Sequence, residues 1–576
     1  MRFINATTYK FKESNSNKIK GGYCILSHRW TWGNDEIQYH DVLSLGPAVK
    51  SKNGFRKFAG ACALAKKLGF DLIWIDTCCI NKSNHVELSE AINSMYRWYN
   101  DSAVCIAYLD DVTSSDPNAF TRSEWFSRGW TLQELIAPKT VKFYGKNWNY
   151  LGDKNGLSSA IVTKTRIPAD ILSKQRHPRS CSVAQRMSWA ANRTTTRIED
   201  RAYSLLGLFD VTLSFRYGEL DGAFIRLQKC IMKDSSDESI FVWDLDLLEG
   251  SKTRDARDVQ CGLLAPSPAS FARSGNVVVL GRSRGFQITQ SGLSISLPAI
   301  QRGVGTYQAT LNAGRMGVSG KQCAIFLVKL PESNLYARRS TSSGESTFLT
   351  EVRLEPRNFT VPLEVRGSLV HLYPGFWLRK VGLQDSHIAS HDILRRVEPE
   401  FSDRIRLPDQ EFGTAGIIRL TLRNGPQPAG FGWIKLGFNS EGQPICFMTF
   451  PKDGVDNYVS KKISEQAKDM MALPAGSRKA KSLHPLFNDG WTKMTPYELS
   501  SLPSNSYDSR LHQAAGQLDH SFDISFRAPL FKVAVSVRRV QDTGYVAAGK
   551  AGEIWAVDLV AGMPSVSQHR QGSLRF

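Results

Sequence analysis

At 576 residues the chain exceeds what one hydrophobic core sustains, and its 41% hydrophobic and 22% charged content is that of a folded protein, not a disordered one. The formal charge of +19 is uneven: residues 1–250 carry 33 Lys and Arg against 27 Asp and Glu, residues 251–576 carry 40 against 27, so the basic excess sits in the C-terminal part. A basic surface attracts nucleic acid, anionic lipid or an acidic partner, but no zinc-finger, RNP or basic-helix signature accompanies it, and nucleic-acid binding is not expected.

Residues 22–144 alternate short apolar runs with helical patterns, the texture of a parallel sheet with crossover helices. The first strand is expected at Gly22–Ser27. A helix over Phe55–Leu68 follows, closed by Gly69. The second strand is expected at Leu72–Asp76, and Leu88, Ile92, Met95, Tyr96 and Tyr99 mark a helix over Glu87–Tyr99. The third strand is expected at Val104–Leu109, a helix from near Arg128, and a fourth strand at Thr140–Tyr144.

Residues 150–250 read as helical, with segments near Val183–Ala191, Arg197–Leu208 and Tyr217–Met232. Beyond Leu247 short β-rich runs separated by Gly, Pro, Asn and Ser predict an antiparallel sandwich or barrel: Asn276–Leu280, Leu293–Leu297, Cys323–Val328, Thr347–Leu354, Ile417–Leu422, Gly432–Phe438, Phe531–Val537 and Glu553–Leu559. Lys461–Ser482 reads as a polar, basic excursion between strands. The expected division is 1–150, 151–250 and 251–576.

The ten cysteines show no C-x-x-C and no repeated spacing, so buried reduced thiols are expected, with neither disulfide nor metal. The N-terminal residues show no apolar signal region, and no run of 18 apolar residues occurs; a soluble cytoplasmic protein is the expectation. Known motifs fail on inspection. Gly317–Gln322 lacks the spacing and the Ser/Thr of a phosphate-binding loop, Gly430-Phe431-Gly432 lacks a βαβ setting, and neither G-x-S-x-G nor H-E-x-x-H is present.

In an open parallel sheet the ligand crevice lies outside the carboxyl ends of the strands. That rule selects Ser27, His28, Arg29 and Trp30 after the first strand, Asp76 after the second, Asp110 and Asp111 after the third, and then Trp130 and Glu134, which share one face of a helix at i and i+4. An arginine, an aromatic and a carboxylate at one crevice suit a dinucleotide with a cationic ring. Arg29 can pair with a pyrophosphate, a tryptophan can stack on nicotinamide, and Glu134 can stabilise positive charge developing on the ribose. Cleavage of the N-glycosidic bond releases neutral nicotinamide, so one carboxylate suffices. The structural alternatives stay open: Glu134 as a surface or capping carboxylate near Arg128, Arg29 paired with Asp76, Trp30 and Trp32 packed or facing a partner, and Trp74 in the core. His28 reads as a hydrogen-bonding residue and Asp110-Asp111 as a solvated turn.

The blocks YCILSHRW (23–30), LIWIDTCCINK (72–82), ELSEAINSMYRWY (87–99) and WFSRGWTLQELIAP (125–138), continued by RMSWAANRTTTRIEDRAYSLLGLFDV (186–211) and the YGE at 217–219, resemble in order and spacing those of the fungal HET (heterokaryon incompatibility) domain over roughly residues 20–245. HET domains resemble TIR domains in turn. The segment Trp130–Leu135 is similar to the W-x-x-x-E stretch that holds the catalytic glutamate of NAD-cleaving TIRs. The resemblance implies a TIR/flavodoxin-like α/β sheet with a helical extension, then a β-rich, sandwich-like C-terminal domain. It implies self/non-self recognition and regulated cell death and Glu134 as the catalytic residue; the crevice reading adds Ser27, Arg29, Trp30, Asp76 and Trp130 as substrate contacts. NAD enters as a substrate and no cofactor or metal is implied; self-association and a protein partner that signals non-self are. The competing expectation is a non-catalytic adaptor acting by oligomerisation or partner capture, and a third is a basic C-terminal domain that senses an anionic ligand.

Overall fold

The computed structural model describes residues 1–14, 19, 21–30, 35–113, 117–244, 260–281, 283, 285–303, 305–317, 321–330, 334–339, 349–350 and 354–363, and beyond these the strands between residues 371 and 562. Two compact units emerge: residues 1–297 with 310–325 and 340–353, and residues 298–309 with 326–339 and 354–576.

The first unit is built on a seven-stranded sheet. Its strands are β1 (Arg2–Asn5), β2 (Phe11–Glu13), β3 (Cys24–His28), β4 (Leu72–Trp74), β5 (Val104–Leu109), β6 (Val141–Gly145) and β7 (Tyr150–Asp153), in the order β2-β1-β4-β3-β5-β6-β7. Strands β4, β3, β5 and β6 run parallel, so the crossover strands lie second, first, third, fourth. Every residue of β3 and β4, and all of β5 but Val104, is buried. Burial on both faces is why these strands read as continuous apolar runs and not as alternating ones. The order reverses between β3 and β5, so two loops diverge there and open a crevice at the carboxyl ends.

The sheet departs from the all-parallel expectation at both edges. Residues 2–13 form a hairpin whose β1 pairs antiparallel with β4, and β7 pairs antiparallel with β6. The interior helices are α1 (Tyr39–Leu43), α2 (Pro47–Lys50), α3 (Asn53–Lys67), α4 (Asp76–Cys79), α5 (His85–Asp101), α6 (Pro117–Arg122) and α7 (Thr131–Ile136). Helix α5 starts where the Asn84 side chain accepts from the Val86 and Glu87 amides, satisfying donors that the first turn leaves orphaned. It buries Ala91, Ile92, Met95 and Tyr99 on one face. Asp76 opens α4 instead of ending a strand.

Helix α7 is only six residues long and all six are buried. A single turn cannot sustain itself; it is held from outside. Lys154 sends its buried ammonium to the carbonyls of Leu135 (3.3 Å) and Pro138 (2.5 Å) at the C-terminal end, the end that favours a cation.

The helical extension contributes α8 (Ser158–Thr165), α9 (Ala169–Leu172), α10 (Val183–Ser188), α11 (Asp200–Tyr203), α12 (Leu206–Phe209) and α13 (Gly222–Asp234). The helix expected over Arg197–Leu208 is thus two short ones. Between α10 and α11, Thr194 accepts from the Gly129 amide (2.8 Å) and donates its own amide to Ser127 (2.7 Å), fastening the extension just ahead of α7. A Cβ at Gly129 would lie 2.5 Å from the Thr195 methyl group, so only glycine permits this approach. No helix among the described residues is long and apolar enough to cross a membrane.

Toward the C-terminus the described strands are mostly antiparallel. The expected runs fall in Val277–Val279, Gly292–Gly303, Lys321–Lys329, Leu349–Thr350, Gly413–Asn424, Gln427–Phe438, Lys532–Gln541 and Gly552–Gly562. The strands beyond residue 370 form two five-stranded sheets. The pairing of His371–Gly382 with Gly552–Gly562 departs from the antiparallel expectation, the two running parallel. The Lys461–Ser482 excursion lies outside the described residues. Cys24, Cys62, Cys78, Cys79, Cys105, Cys181 and Cys323 are buried free thiols, and Cys230 and Cys261 are half-buried ones.

Candidate functional site

The end of β3 meets α7 where the sheet order reverses. Ser27 donates its hydroxyl to Glu134 Oε2 at 2.5 Å and accepts from the Trp125 indole Nε1 at 2.8 Å. Tyr99, from the buried face of α5, donates its hydroxyl to the Leu26 carbonyl at 2.9 Å and also stands within hydrogen-bond reach of Glu134. Four segments between residues 27 and 134 therefore converge on one carboxyl group.

Glu134 is 6% exposed. Burial pushes its carboxyl up to about 8, the negative charge of Asp76 adds to the rise, and Ser27, Arg128 and Tyr99 oppose it. The hydrogen bonds of Ser27 and Tyr99 favour the charged form, and burial outweighs them. At pH 7 the resting carboxyl is mostly protonated, which differs from a pre-formed anion waiting for a cationic ring.

A second cluster lies beside it. His28 Nε2 stands 3.0 Å from Asp76 Oδ1, and the Trp30 indole donates to Asp76 Oδ2 at 2.8 Å. Burial raises the Asp76 carboxyl, but the hydrogen bond and charge of His28, with Lys82 and Trp30, outweigh it and hold the group below its ordinary range. On the other side of the imidazole, His28 Nδ1 is 4.0 Å from Glu36, which pairs with Lys57. Lys57 also donates to the Arg29 carbonyl at 3.0 Å. The ammonium of Lys82 lies 3.8 Å above the Trp30 ring, a cation–π contact on an indole that is 40% exposed.

The six residues singled out by sequence divide into three groups. Ser27 and Glu134 are bonded directly, and Asp76 acts on Glu134 through its charge while binding Trp30. Arg29 pairs with Glu124 and lies 3.8 Å from Asp110, so its ion-pair partners are these and not Asp76. Trp130 occupies the position before α7 without a capping hydrogen bond, and its indole donates to Asp200 of the helical extension. Glu134, one turn on, is bonded to Ser27 instead. Trp32 lies outside the described residues. Asp111 accepts from Ser123 and the Glu124 amide, ordering the loop that delivers Trp125. Trp74 is fully buried.

Two residues that sequence reasoning passed over complete the site. Tyr99 was visible only as an apolar helix position, although a tyrosine on a buried face must place its hydroxyl somewhere. Trp125 carried no signal beyond its place in a motif block. Among the described residues no group of three or more His, Cys, Asp or Glu side chains is placed to hold a metal ion.

A family model for the heterokaryon incompatibility protein (HET) matches residues 23–121. That span contains Ser27, Arg29, Trp30, Asp76 and Tyr99 and stops short of Trp125 and Glu134. The vegetative incompatibility protein HET-E-1 of Podospora anserina is similar to this chain, 47% identical over 234 residues, covering 39% of this chain and 17% of that relative. The chain thus spans less than a fifth of the length of the curated relative it matches. No solved structure matches.

Proposed function

We propose that this protein, whose residues 23–121 match the heterokaryon incompatibility family model, acts in fungal self/non-self recognition and regulated cell death by cleaving NAD at the nicotinamide N-glycosidic bond. The observation that carries the reading is the Ser27–Glu134 hydrogen bond at the carboxyl end of β3, which puts one acid at the reversal point of an open parallel sheet, where such folds bind ligands. The TIR resemblance of the Trp130–Leu135 segment points to the same carboxyl.

In the proposed reaction the C–N bond to nicotinamide breaks, neutral nicotinamide departs with the bonding pair, and water adds to the anomeric carbon with release of one proton. The transition state is cationic at the ribose, so the useful form of Glu134 is the carboxylate. With the group titrating at about 8, roughly a tenth of it is ionised at pH 7, and nicotinamide release should climb through pH 7 to 8.5. Arg29 is the candidate for a pyrophosphate, which would have to displace Glu124 and Asp110.

The purified 576-residue chain bearing an oligomerising tag, incubated with NAD and assayed chromatographically, should release nicotinamide on this rising pH profile. Glu134→Ala should abolish release. Folded, assembled protein that leaves NAD intact ends the hydrolase reading.

The burial of Glu134, with all its hydrogen bonds satisfied inside the protein, favours a second reading: a non-catalytic adaptor acting by self-association or partner capture, with exposed Trp30 as a contact. Killing that survives Glu134→Gln and is lost with Trp30→Ala would support it over the first.

A further inference from the structure

We propose that Trp125 is a positioning residue of the site: its indole N–H turns the Ser27 hydroxyl onto Glu134, so that the short turn ahead of α7 sets the hydrogen bond the acid receives.

Trp125 is buried in the 3₁₀ turn Glu124–Ser127, which opens where the Ser123 hydroxyl accepts from the Trp125 amide at 3.3 Å. Asp111 fixes that turn from the end of β5, accepting from the Ser123 hydroxyl at 2.7 Å and the Glu124 amide at 2.8 Å. The Trp125 ring meets Phe126 and Phe143 edge-on, with centroids 5.0 and 5.6 Å away. An indole enclosed in this way has one hydrogen to place and can only donate it. It places it on Ser27 Oγ at 2.8 Å. Ser27 is completely buried, and its single hydroxyl hydrogen goes to Glu134 Oε2 at 2.5 Å. Because the indole cannot act as acceptor, the sequence Trp125 to Ser27 to Glu134 has a fixed direction, toward the acid.

The backbone of the same residue is tied to α7. Thr131 Oγ1 receives a hydrogen from Arg193 at 2.9 Å and donates its own to the Trp125 carbonyl at 2.5 Å, with the Arg128 carbonyl at 3.0 Å as a second acceptor. Thr131 and Glu134 stand three residues apart on α7 and are neighbours on its surface. Trp125 thus reaches the first through its carbonyl and the second through Ser27, closing a ring of hydrogen bonds over the turn, β3 and α7. The carbonyl bond fixes where the indole starts and the Ser27 bond fixes where it ends. A hydroxyl directed at the carboxyl favours its charged form, and a donor behind that hydroxyl strengthens the bond it gives. Without the indole N–H, Ser27 is free to turn and accept from the protonated acid. A tryptophan that only filled space would need its ring and would be indifferent to the loss of its N–H.

The inference rests on reading the Ser27–Glu134 pair as the working site, but its test uses no NAD. In the 576-residue chain labelled with ¹³C-glutamate, the Glu134 carboxyl signal, assigned by its loss in Glu134→Gln, is titrated in wild type, Trp125→Phe, Ser27→Ala and the double variant. Asp76, Tyr99 and Arg128, which also act on the acid, and Cys105, whose thiol lies 3.8 Å from the Glu134 carbonyl, are the same in all four. Trp125→Phe keeps an aromatic ring and removes the N–H; it should raise the midpoint by about 0.5 pH unit, roughly a threefold gain in proton affinity. Ser27→Ala should raise it by about one unit, roughly tenfold. In the Ser27→Ala background, Trp125→Phe should add nothing. An equal shift from Trp125→Phe with and without Ser27 assigns the effect to packing; that result, or an unmoved midpoint in folded Trp125→Phe, overturns the proposal. Should Trp125→Phe not fold, the ¹⁵N-indole signals decide: the one displaced by Ser27→Ala should move with the Glu134 midpoint in wild type, and a flat response, or no displaced signal, overturns it equally. Absence of nicotinamide release would instead remove the hydrolase reading and leave this orientation standing.

Discussion

Replacing Glu134 by glutamine isolates the free energy of one proton. The acid ionises near 4.5 in an unfolded chain and at about 8 in the fold, so the folded state holds the proton more tightly. That stabilisation is complete below pH 4.5, declines as pH rises, and is gone above about 8. At about 1.36 kcal/mol per pH unit its full size is on the order of 5 kcal/mol. Between pH 6 and pH 8 the loss is about 2 kcal/mol. Glutamine has no such proton, yet its carbonyl can accept from Ser27 and its amide can donate to the Tyr99 oxygen. Native-state hydrogen exchange, read on peptides covering β3 and α7, reports local stability, and comparing the two proteins at the same pH cancels the intrinsic exchange rates. The protection of wild type relative to Glu134→Gln should fall ~50-fold from pH 6 to pH 8. A change under about fivefold would mean that the carboxyl does not ionise with the fold in this range.

Two further substitutions probe the frame around the site. Gly207 in α12 faces α5 so closely that an added Cβ would sit 2.0 Å from the Tyr96 Cβ; Gly207→Ala should cost about 3 kcal/mol and lower the Tm by roughly 5–10 °C, and an unchanged melting curve would show that the helices separate freely. Asp76→Asn removes the charge that His28 and Trp30 share; because the folded carboxyl lies below its ordinary range, the cost of about 1–3 kcal/mol should be present at pH 7 and fade as pH falls below about 4. Equal loss at both pH values in denaturant titrations would show that charge is not what Asp76 contributes.

How much of the fold was legible depends on how each strand is buried. Leu72–Trp74 and Val104–Leu109 have both faces covered, which leaves an apolar run that survives in the sequence as a signal. The edge strands leave no such trace. Phe11–Glu13 is three residues long and mostly exposed, and Tyr150–Asp153 is exposed or half-buried throughout; both become strands because a paired neighbour offers its free amides and carbonyls. Helix α4 is a single turn closed over by the Cys79 thiol near the Ile75 amide, too short for any periodicity. These elements exist through tertiary contact, and a window of local sequence does not contain it.

The site divides along the same line. The carboxyl-end rule was enough to bring Ser27 and Glu134 together across 107 residues, because it depends only on strand direction. Pairing Trp130 with Glu134 by i, i+4 spacing failed to predict where the indole goes: Trp130 stands at the cap, and Asp200, delivered by the extension, takes its N–H. What decides the charge of Glu134 is therefore burial together with residues 27, 76, 99 and 128, and the motif that carries the acid leaves its protonation state open. A W-x-x-x-E match identifies where an acid sits; whether that acid is a carboxylate at neutral pH follows from the neighbours that the rest of the domain supplies.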